Sequence, residues 1–370
     1  MLWVDRLTMF EKPWPTKGVE GCHFYHALDL PGIGAVAGDW DLRGRFEEYV
    51  GRVDLHGKRV LDVGTASGFL TWEAEKRGAE VVSFDLDGAH RQYLLPFKDS
   101  IYCRDRTESI RQRNEYFNAM KRSYWLAHRL LGSRAQVHYG DVENLPPALG
   151  RFDVAFVCSI LEHLRDQIAP LESIARLVSD RLVLTGPILE TEEPIAMFAG
   201  DPERAEANYS FWCYSIGTYR RILKMLGFEI EAVTSGTYRC VLFGSQPEIQ
   251  TIVAVRVGIP AYAAVIVSDD IPKVMTAGQT YTVHVVIQNT GANAWTATQG
   301  YKLGFVGDHP PFGPARVLID PTVSVGSGQQ HTFTFTLTPR GSGTFTLGYG
   351  MVQEGVIWFG GTLTVTVSVA

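Results

Sequence analysis

An apolar run that ends in a carboxylate and a turn of small residues is the part of this sequence best suited to chemistry. The run holds Asp62 and is followed by Gly64 and Gly68, whose small side chains let the backbone turn tightly and approach a ligand. A second apolar run ends on Asp85, where a carboxylate can accept both hydroxyl groups of a ribose. The pattern predicts a nucleotide-type cofactor site. The residues expected to form its first part are Asp62, Gly64, Thr65, Gly68, Asp85 and Leu86.

Two further residues extend this site, because Asp141 and Val142 follow a third apolar run. Strand ends that occur in this order meet at one edge of a Rossmann-type sheet. A dinucleotide cofactor is the competing interpretation. It is disfavoured because Gly64, Ala66 and Gly68 lack the G-x-G-x-x-G spacing that places a pyrophosphate at a helix N-terminus. A turn with only a structural role is the remaining alternative.

Length and composition predict a soluble, globular protein with two domains. The chain has 370 residues, of which 45% are hydrophobic and 20% charged, enough for two cores at roughly 100–200 residues per domain. No apolar run approaches the roughly 20 residues of a membrane-spanning helix, and the N-terminal residues lack the basic-then-apolar order of a secretory signal. Cytoplasmic localisation without membrane attachment is therefore the expectation.

Cysteine spacing and net charge narrow the classes of ligand. The five cysteines are scattered and show no C-x-x-C spacing, so neither a disulfide framework nor a metal site is predicted. A formal net charge of −6 disfavours a protein that holds long nucleic acid by neutralising phosphates, although a local basic patch is compatible with it. The composition favours small or locally presented substrates over nucleic acid.

The first two thirds of the chain alternate strand-like apolar runs with helical patterns, which is typical of an α/β fold with a mainly parallel sheet. A first domain is expected over residues 1–258, followed by a linker over 259–264. The runs expected to form a Rossmann-like seven-stranded sheet are Arg59–Val63, Val81–Phe84, Ala135–Tyr139, Phe152–Cys158, Arg181–Thr185, Phe228–Val233 and Thr251–Arg256.

Residues 265–370 follow a different pattern, rich in Thr, Val, Gly and aromatic residues and poor in charge. Strict alternation in Thr280–Ile287 and Thr332–Leu337 predicts antiparallel strands with one buried face. Turn signals separate short strands over roughly a hundred residues, which is the size of one immunoglobulin-like sandwich. The second domain is therefore predicted to be an all-β immunoglobulin-like sandwich.

The segment from about Val60 to Arg256 resembles the class I S-adenosylmethionine-dependent methyltransferases over its whole length. The resemblance implies S-adenosylmethionine as cofactor and S-adenosylhomocysteine as product. It places Asp62 and Gly64 beside the methionine portion of the cofactor and Asp85 at the ribose hydroxyls. The residues implied at the adenine and at the end of the fourth strand are Asp141, the Val142 amide and Cys158.

The fourth predicted strand leads into Glu162 and His163, and in these methyltransferases that strand end faces the transferring methyl group. Histidine titrates near neutrality, so His163 and Glu162 are the predicted catalytic residues, as a base or a substrate contact. The alternative is that His163 only packs over the cofactor or caps a helix. A base is not obligatory, because methyl transfer proceeds largely by positioning an activated sulfonium beside a nucleophile.

The segment before the first sheet strand is similar to methyltransferases related to the wobble-uridine tRNA carboxymethyltransferase group, in Phe24–Gly32 and Asp39–Arg43. Further similarity lies in Trp125–Ser133 and Leu161–Asp166. That group also includes proteins that resemble methyltransferases of small molecules and sugars, so the resemblance does not determine the acceptor. The alternative is an arm that only covers a sheet edge. The residues expected to contact the cofactor or the acceptor are Tyr25, His26, Trp40 and Arg43.

Two insertions are expected near the acceptor site. The first, over residues 87–134, interleaves arginines and lysines with aromatic residues, which suits either a phosphate-bearing acceptor or a helical lid with solvated charges. The second, over residues 190–214, follows the fifth strand. Its Tyr209 and Trp212 are predicted to contact a planar or sugar-like acceptor, because a loop at that strand end overhangs the pocket.

Two segments of the second domain, Gln288–Thr296 and Met351–Gly360, resemble the immunoglobulin-like central domain of a selective-autophagy receptor and its bacterial relatives. Trp295 and Trp358 are predicted to be core residues. No acid pair, histidine cluster or nucleophile stands out in this half of the sequence. We therefore expect a binding module with a protein or glycan partner.

Together these patterns predict an S-adenosylmethionine-dependent methyltransferase. The expected acceptor is a hydroxyl or amine of a small molecule, such as a saccharide or a secondary metabolite. Two alternatives stay open. One is a tRNA enzyme that modifies the wobble uridine, and the other is a non-catalytic adaptor that acts through the β-sandwich.

Overall fold

The computed structural model describes residues 9–146, 149–203, 209–258 and 260–370 of the chain. These residues divide into two compact units. The first unit comprises Phe10–Leu145 and Phe152–Val257, and the second consists mainly of residues 260–370. Each unit has a hydrophobic core of its own.

The strands of the first unit are short in the N-terminal arm and longer in the centre. In chain order they are β1 (Leu28–Leu30), β2 (Gly34–Val36), β3 (Trp40–Asp41), β4 (Arg59–Val63), β5 (Glu80–Leu86), β6 (Gln136–Gly140), β7 (Phe152–Cys158), β8 (Val178–Gly186), β9 (Ala196–Phe198), β10 (Trp212–Tyr214), β11 (Phe228–Thr237), β12 (Arg239–Cys240) and β13 (Glu248–Arg256).

A seven-stranded sheet forms the centre of this unit, with the strand order β11, β13, β8, β7, β4, β5 and β6. Strands β4 to β8 run parallel, and β13 runs antiparallel to both of its neighbours. The inner strands read as continuous apolar runs because helices cover both faces; six of the seven residues of β7 are buried. The prediction of a Rossmann-like seven-stranded sheet is confirmed.

Among the residues that the structure describes, three small two-stranded pairs accompany this sheet. Strands β1 and β2 form a hairpin in the N-terminal arm, and β3 of the arm pairs with β12. Strands β9 and β10 form an antiparallel pair within the second predicted insertion. The helices of the unit are α1 (Phe46–Tyr49), α2 (Phe69–Lys76), α3 (Ile101–Arg104), α4 (Arg106–Leu131), α5 (Ile168–Ala175) and α6 (Ile216–Met225).

The first predicted insertion consists chiefly of α4, which is 26 residues long. The Asp105 side chain accepts the backbone N–H of Glu108 at its N-terminus, and Gly132 ends it with a φ of +64°. Tyr124 and Trp125 are buried in the core, so this helix packs onto the body of the unit. Within the described ranges, no helix is both long enough and apolar enough to cross a membrane.

The second unit is built from strands. They are β14 (Ala264–Asp269), β15 (Val274–Met275), β16 (Tyr281–Asn289), β17 (Trp295–Thr296), β18 (Tyr301–Phe305), β19 (Arg316–Leu318), β20 (Ser324–Val325), β21 (Gln330–Leu337), β22 (Gly343–Gln353) and β23 (Ile357–Val369).

Two sheets of this unit share one core. One sheet has the order β14, β16, β21, the other has the order β15, β23, β22, β18, β19, and β17 pairs with β20. Alternate residues such as Val283 and Phe333 from the first sheet and Tyr349 and Val367 from the second belong to the same hydrophobic cluster. The alternation predicted for β16 and β21 is confirmed, because their inward residues are buried and all four of their threonines are exposed.

The two tryptophans predicted as core residues differ. Trp295 is fully buried, with its ring centroid 5.8 Å from that of Phe359. Trp358 is half-buried, so its prediction as a core residue is wrong. Its neighbours Ile357 and Phe359 are buried in the core, and successive side chains of a strand point to opposite faces. Trp358 therefore lies on the other face, where the guanidinium of Arg316 is 5.0 Å from its ring.

Candidate functional site

The loop between β4 and α2 holds its backbone in an uncommon conformation. Gly64, Ala66 and Gly68 have φ angles of +80°, +50° and +88°. The amides of Gly64 and the next residue donate to the carbonyl oxygen of Phe84, at 2.8 and 3.0 Å, which ties the loop to β5. A β-carbon at Gly64 would lie 2.2 Å from Cγ2 of Ile160. This position therefore requires glycine both for its conformation and for space.

Asp62 lies beneath this loop with only 1% of its surface exposed. Its Oδ2 accepts the hydroxyl groups of Thr65 and Thr71, at 2.8 and 2.7 Å. Its Oδ1 is buried and has no hydrogen-bond partner within the described part of the chain. Burial raises the pKa of Asp62 to about 6, although the two hydroxyl groups oppose the shift. A donor supplied by a ligand would satisfy the unpaired oxygen.

A chain of buried hydroxyl groups orients Asp62 from behind. Tyr124 of α4 donates to Oγ of Ser83 at 2.8 Å, and Ser83 lies 2.7 Å from the Thr71 hydroxyl. Because the Thr71 proton is donated to Asp62, the Ser83 hydroxyl must donate to Thr71. The long helix is thus connected to the carboxylate under the loop. The sequence reasoning missed these residues, whose only signal is hydroxyl side chains at otherwise apolar positions.

Asp85 lies at the end of β5 beside the same loop. Its Oδ2 accepts the Ala66 amide at 2.8 Å and its Oδ1 accepts the Leu86 amide at 2.7 Å. Burial raises the pKa of Asp85, while the two amides and the charge of Lys121 counteract the shift. Each carboxylate oxygen can accept a second donor, so Asp85 retains capacity for hydroxyl groups of a ligand.

Lys121 is a residue of α4 that the sequence reasoning did not place at the site. It is buried, donates to the Asp87 carbonyl oxygen at 3.0 Å, and lies 4.0 Å from the centre of the Tyr139 ring. Its charge acts on Asp85. Nothing in the sequence indicates that this lysine of the first insertion reaches the end of β5.

Asp141 and Val142 follow β6, as the sequence predicted. The Asp141 carboxylate pairs with Arg91 at 2.8 Å and accepts the Glu143 amide at 3.0 Å. Val142 begins a short 3-10 turn that extends to Asn144. Because Asp141 already has two partners, its role in reading an adenine stays a prediction.

A second strained position follows β7. Ser159 has a φ of +51°, and its amide donates to the Thr185 carbonyl oxygen at 2.6 Å. Its hydroxyl lies 2.9 Å from the hydroxyl of Tyr49, a buried residue of α1. Cys158, predicted to contact the cofactor, is buried at the end of β7, and burial raises the pKa of its thiol. Non-glycine residues in this conformation cluster at functional sites.

Glu162 and His163 lie in the turn that follows. Nδ1 of His163 is 3.0 Å from the backbone carbonyl oxygen of Tyr209, and a carbonyl only accepts, so Nδ1 carries a proton. In the neutral ring Nε2 is then unprotonated, and it lies 3.9 Å from Oε1 of Glu162. Burial raises the pKa of Glu162, and a charge on His163 lowers it. The arrangement leaves Nε2 able to accept a proton.

The second insertion packs against this turn. The Phe211 amide donates to the Glu162 carbonyl oxygen at 2.7 Å, and the Tyr209 ring lies 5.3 Å from that of His163. Trp212 lines a small cavity beside the Glu162 side chain. The structure therefore brings Tyr209 and Trp212, two of the predicted substrate-binding residues, to the predicted catalytic pair.

The N-terminal arm reaches the loop above Asp62. The amide of His26 donates to Oγ of Ser67 at 3.0 Å, and the His26 ring packs between Tyr25 and Phe69, with centroids 4.9 and 5.7 Å away. Burial lowers the pKa of His26 to about 3, so its ring is neutral. Burial raises the pKa of Tyr25, and the negative charge of Glu162 raises it further. His26 thus contacts the predicted cofactor loop, and its neighbour Tyr25 is close enough to Glu162 for the two charges to interact.

The other two arm residues have structural partners. Trp40 lies in β3, opposite Cys240 of β12. Arg43 pairs with Asp29 at 2.9 Å and with Asp41 at 2.8 Å at the surface. Their roles in substrate binding stay predictions.

Several basic residues of the first insertion are held by the protein. Arg113 donates to the carbonyl oxygens of Ala89 and Gln92, each at 2.9 Å. Arg111 pairs with two glutamates of α4, and Arg122 donates to the Gly21 carbonyl oxygen at 2.6 Å. These contacts agree with the interpretation of the insertion as a helical lid.

Comparison with known proteins identifies the class. A family model described as "Methyltransferase domain" matches residues 41–233, more than half of the chain. The chain belongs to this family, and the prediction of an S-adenosylmethionine-dependent methyltransferase is confirmed at this level.

One curated relative and two solved structures illustrate the similarity. The tRNA U34 carboxymethyltransferase of Stutzerimonas stutzeri (strain A1501) is 25% identical over 193 residues, 51% of each chain, so this chain spans about half the length of that relative. Magnesium protoporphyrin IX methyltransferase from Synechocystis PCC 6803, with bound S-adenosylhomocysteine, is 18% identical, covers 57% of this chain and 80% of its own, and has a TM-score of 0.37. A methyltransferase from Methanosarcina mazei is 16% identical, with coverage of 59% and 99% and a TM-score of 0.39.

The chemistry of the site fits S-adenosylmethionine, the cofactor of this class. The unpaired Oδ1 of Asp62 lacks a donor, which the cofactor's ammonium group would supply. The remaining lone pairs of Asp85 would accept ribose hydroxyls. The turn of Gly64 lets the backbone lie close to a ligand. These residues would hold the cofactor in the order that the sequence predicted.

Cofactor binding should depend on the ionisation of Asp62. Below its pKa of about 6 Asp62 is neutral and loses its attraction for an ammonium group, so affinity for S-adenosylmethionine is expected to fall as the pH decreases from 7.5 to 5. Asp62→Asn should bind weakly and with a much flatter pH dependence. Calorimetric titration across this pH range measures the affinity of the wild-type protein and of the variant at each pH. An equally steep pH dependence in the variant would contradict the assignment.

The close approach at Gly64 gives a second prediction. Gly64→Ala is expected to weaken S-adenosylmethionine binding by at least about tenfold, since the methyl group adds backbone strain and displaces Ile160. Gly32→Ala is the matched control, because Gly32 has a φ of +75° but nothing within 4 Å of its added β-carbon. Calorimetry measures the affinity of each variant, and circular dichroism checks that each variant is folded. Equal S-adenosylmethionine affinities for the two variants would show that the turn at Gly64 does not contribute to cofactor binding.

Proposed function

We propose that this methyltransferase transfers the methyl group of S-adenosylmethionine to a hydroxyl or amine of a small acceptor, such as a saccharide or a secondary metabolite. The observation that carries the proposal is the position of Glu162 and His163. They lie in the turn after β7, two and three residues beyond Ile160, which packs against Gly64 of the cofactor loop. A proton acceptor and a site for the methyl donor are therefore adjacent.

His163 acts as the general base. Bound S-adenosylmethionine supplies an electrophilic methyl group on a positively charged sulfur. In the transfer, the acceptor would form a bond to that carbon as the carbon–sulfur bond breaks, and the electron pair left on sulfur would give S-adenosylhomocysteine. Nε2 of His163 accepts the proton that the acceptor loses, and the Tyr209 carbonyl holds the ring in the required tautomer. Glu162 stabilises the imidazolium that forms.

The residues around this pair define the proposed acceptor site. Tyr209 and Trp212 come from the second insertion, and Tyr25 and His26 from the N-terminal arm. Aromatic walls with few polar groups suit a planar or sugar-like molecule. Cys158, Asp141 and Val142 are assigned to the cofactor in this proposal, and Trp40 and Arg43 to the outer part of the acceptor site.

A tRNA substrate is the second candidate, because the curated relative modifies uridine 34 of tRNA. A basic surface is the usual requirement for such a substrate. The arginines of the first insertion that are bound by carbonyls and glutamates are less available for phosphates. Salt-dependent binding of tRNA that is lost when these arginines are replaced would favour this candidate.

For the second unit we propose an immunoglobulin-like sandwich that binds a protein or glycan, joined to a methyltransferase domain over residues 1–258 by a linker at 259–264. Two sheets around one core support this assignment. A cytoplasmic location belongs to the same proposal. In the adaptor alternative, the first unit binds its cofactor without turnover and the second unit performs the function.

The catalytic pair provides the test. His163→Ala is expected to lower kcat by about 10²–10⁴, because a positioned base contributes that much, and to leave S-adenosylmethionine affinity unchanged. Glu162→Gln should lower kcat less. S-adenosylhomocysteine formation is measured over a panel of saccharides, amines and phenols.

His284→Ala is the control, since this histidine pairs with Asp270 at 2.7 Å in the second unit. Unchanged kcat in His163→Ala would contradict the role of the base. Cofactor binding without turnover of any acceptor would favour the adaptor.

A further inference from the structure

A small cavity lies beside the carboxyl group of Glu162, at the carboxyl ends of β7 and β8. We propose that this cavity is the subsite for the reacting group of the acceptor and that it takes a positively charged amine. The inference rests on the proposed function and narrows its acceptor from a hydroxyl or an amine to an amine.

The walls of the cavity combine one acid and two aromatic side chains with aliphatic residues, a threonine and the backbone of Gly186. A β-carbon at Gly186 would lie 3.5 Å from Oε2 of Glu162, so a larger residue there would begin to cover the carboxyl group. Tyr219 uses its hydroxyl to donate to Gln167 at 2.7 Å, which leaves its ring as a wall. The residues that define the cavity around Glu162 are Thr185, Gly186, Trp212 and Tyr219.

Two groups of the described chain compensate the charge of Glu162: a charge on His163 and a hydrogen bond from the residue's own backbone amide lower its pKa, against the burial that raises it. The side chain is buried, with 9% of the residue exposed. Within the described ranges its carboxylate has one ion-pair contact, to Nε2 of His163 at 3.9 Å, which is too long for a hydrogen bond.

Within the described ranges, the other ionisable groups on which the charge of Glu162 acts are tyrosines and cysteines of the arm, α1, β7, β10 and α6, none of which carries a positive charge. The groups on which the charge of Glu162 acts are Tyr25, Tyr49, Cys158, Cys213 and Tyr219.

A buried carboxylate without a strong partner is costly, and an ammonium group of a ligand removes that cost. The aromatic wall adds to the attraction, because the face of a tryptophan or tyrosine ring favours a cation. Trp212 is half-buried and packs on Phe198 with ring centroids 5.3 Å apart, which fixes its orientation. A phosphate or carboxylate of an acceptor would instead be repelled by Glu162.

An amine at this position also suits the chemistry. The ammonium group, held by the Glu162 carboxylate, gives one proton to Nε2 of His163, which frees the lone pair on nitrogen. The lone pair forms a bond to the methyl carbon, and the carbon–sulfur bond breaks with its electrons on sulfur. The products are a methylated ammonium, S-adenosylhomocysteine and protonated His163, whose charge Glu162 stabilises.

Two matched sets of probes test the charge preference. The saccharide set is glucosamine, glucose and glucose 6-phosphate, and the aromatic set is phenethylamine, phenylethanol and phenyl phosphate. Binding to the full chain saturated with S-adenosylhomocysteine is measured by calorimetry. In at least one set we expect the amine to bind at least about tenfold more tightly than its neutral and anionic counterparts, as a charge-assisted hydrogen bond provides.

Two variants connect the preference to the cavity. Glu162→Gln keeps the shape of the side chain and should abolish the preference, whereas Glu193→Gln, at an exposed position in the same insertion as Trp212, should leave it intact. Gly186→Val provides a second route, because it covers the carboxyl group without removing it, and it too should abolish the preference.

The inference is overturned if the neutral or anionic probe binds as well as the amine, if no amine binds, or if the preference survives in Glu162→Gln. Failure of the proposed function is distinguishable. In that case S-adenosylmethionine and S-adenosylhomocysteine themselves do not bind to the wild-type protein, before any acceptor probe is added.

Discussion

The burial of Asp62 is the constraint on which the rest of the first unit depends. One of its oxygens is satisfied by two threonine hydroxyls, and the other is left without a partner within the described part of the chain. Neighbouring groups hold the carboxylate in place, and a donor from a ligand would offset the cost of the unpaired oxygen. The chain of hydrogen-bonded hydroxyl groups that begins at Tyr124 connects the long helix α4 to this carboxylate and so helps to position the helix.

The proposed acceptor site is built from segments between the strands. Three segments that are distant in the sequence meet around Glu162 and His163: the N-terminal arm, the turn after β7 and the second insertion. The sheet supplies fixed strand ends, and the segments between strands supply the groups that differ from one acceptor to another. In our proposal the cofactor half defines the class of enzyme, while acceptor specificity is assigned to loops whose contacts are formed only in the folded chain.

The sequence predicted the sheet well because parallel strands are buried on both faces and read as apolar runs; the bounds of β4 and β7 agree with the prediction. The prediction for Trp358 was wrong because composition does not tell which face of a strand is covered. The hydroxyls of Ser83 and Thr71 went unnoticed since their meaning depends on a helix that lies far along the chain. The positions of the acceptor residues are likewise set by tertiary contacts, which no local pattern encodes.

Asp62, the loop after it and Asp85 form the S-adenosylmethionine site that we propose. Calorimetric titration of S-adenosylmethionine into the wild-type protein and into Asp85→Ala tests this site most directly. We expect one site per chain in the wild-type protein and affinity at least about tenfold weaker in the variant, because the ribose hydroxyls lose a charged acceptor. Absence of binding to the wild-type protein, or equal affinity in a correctly folded variant, would contradict it.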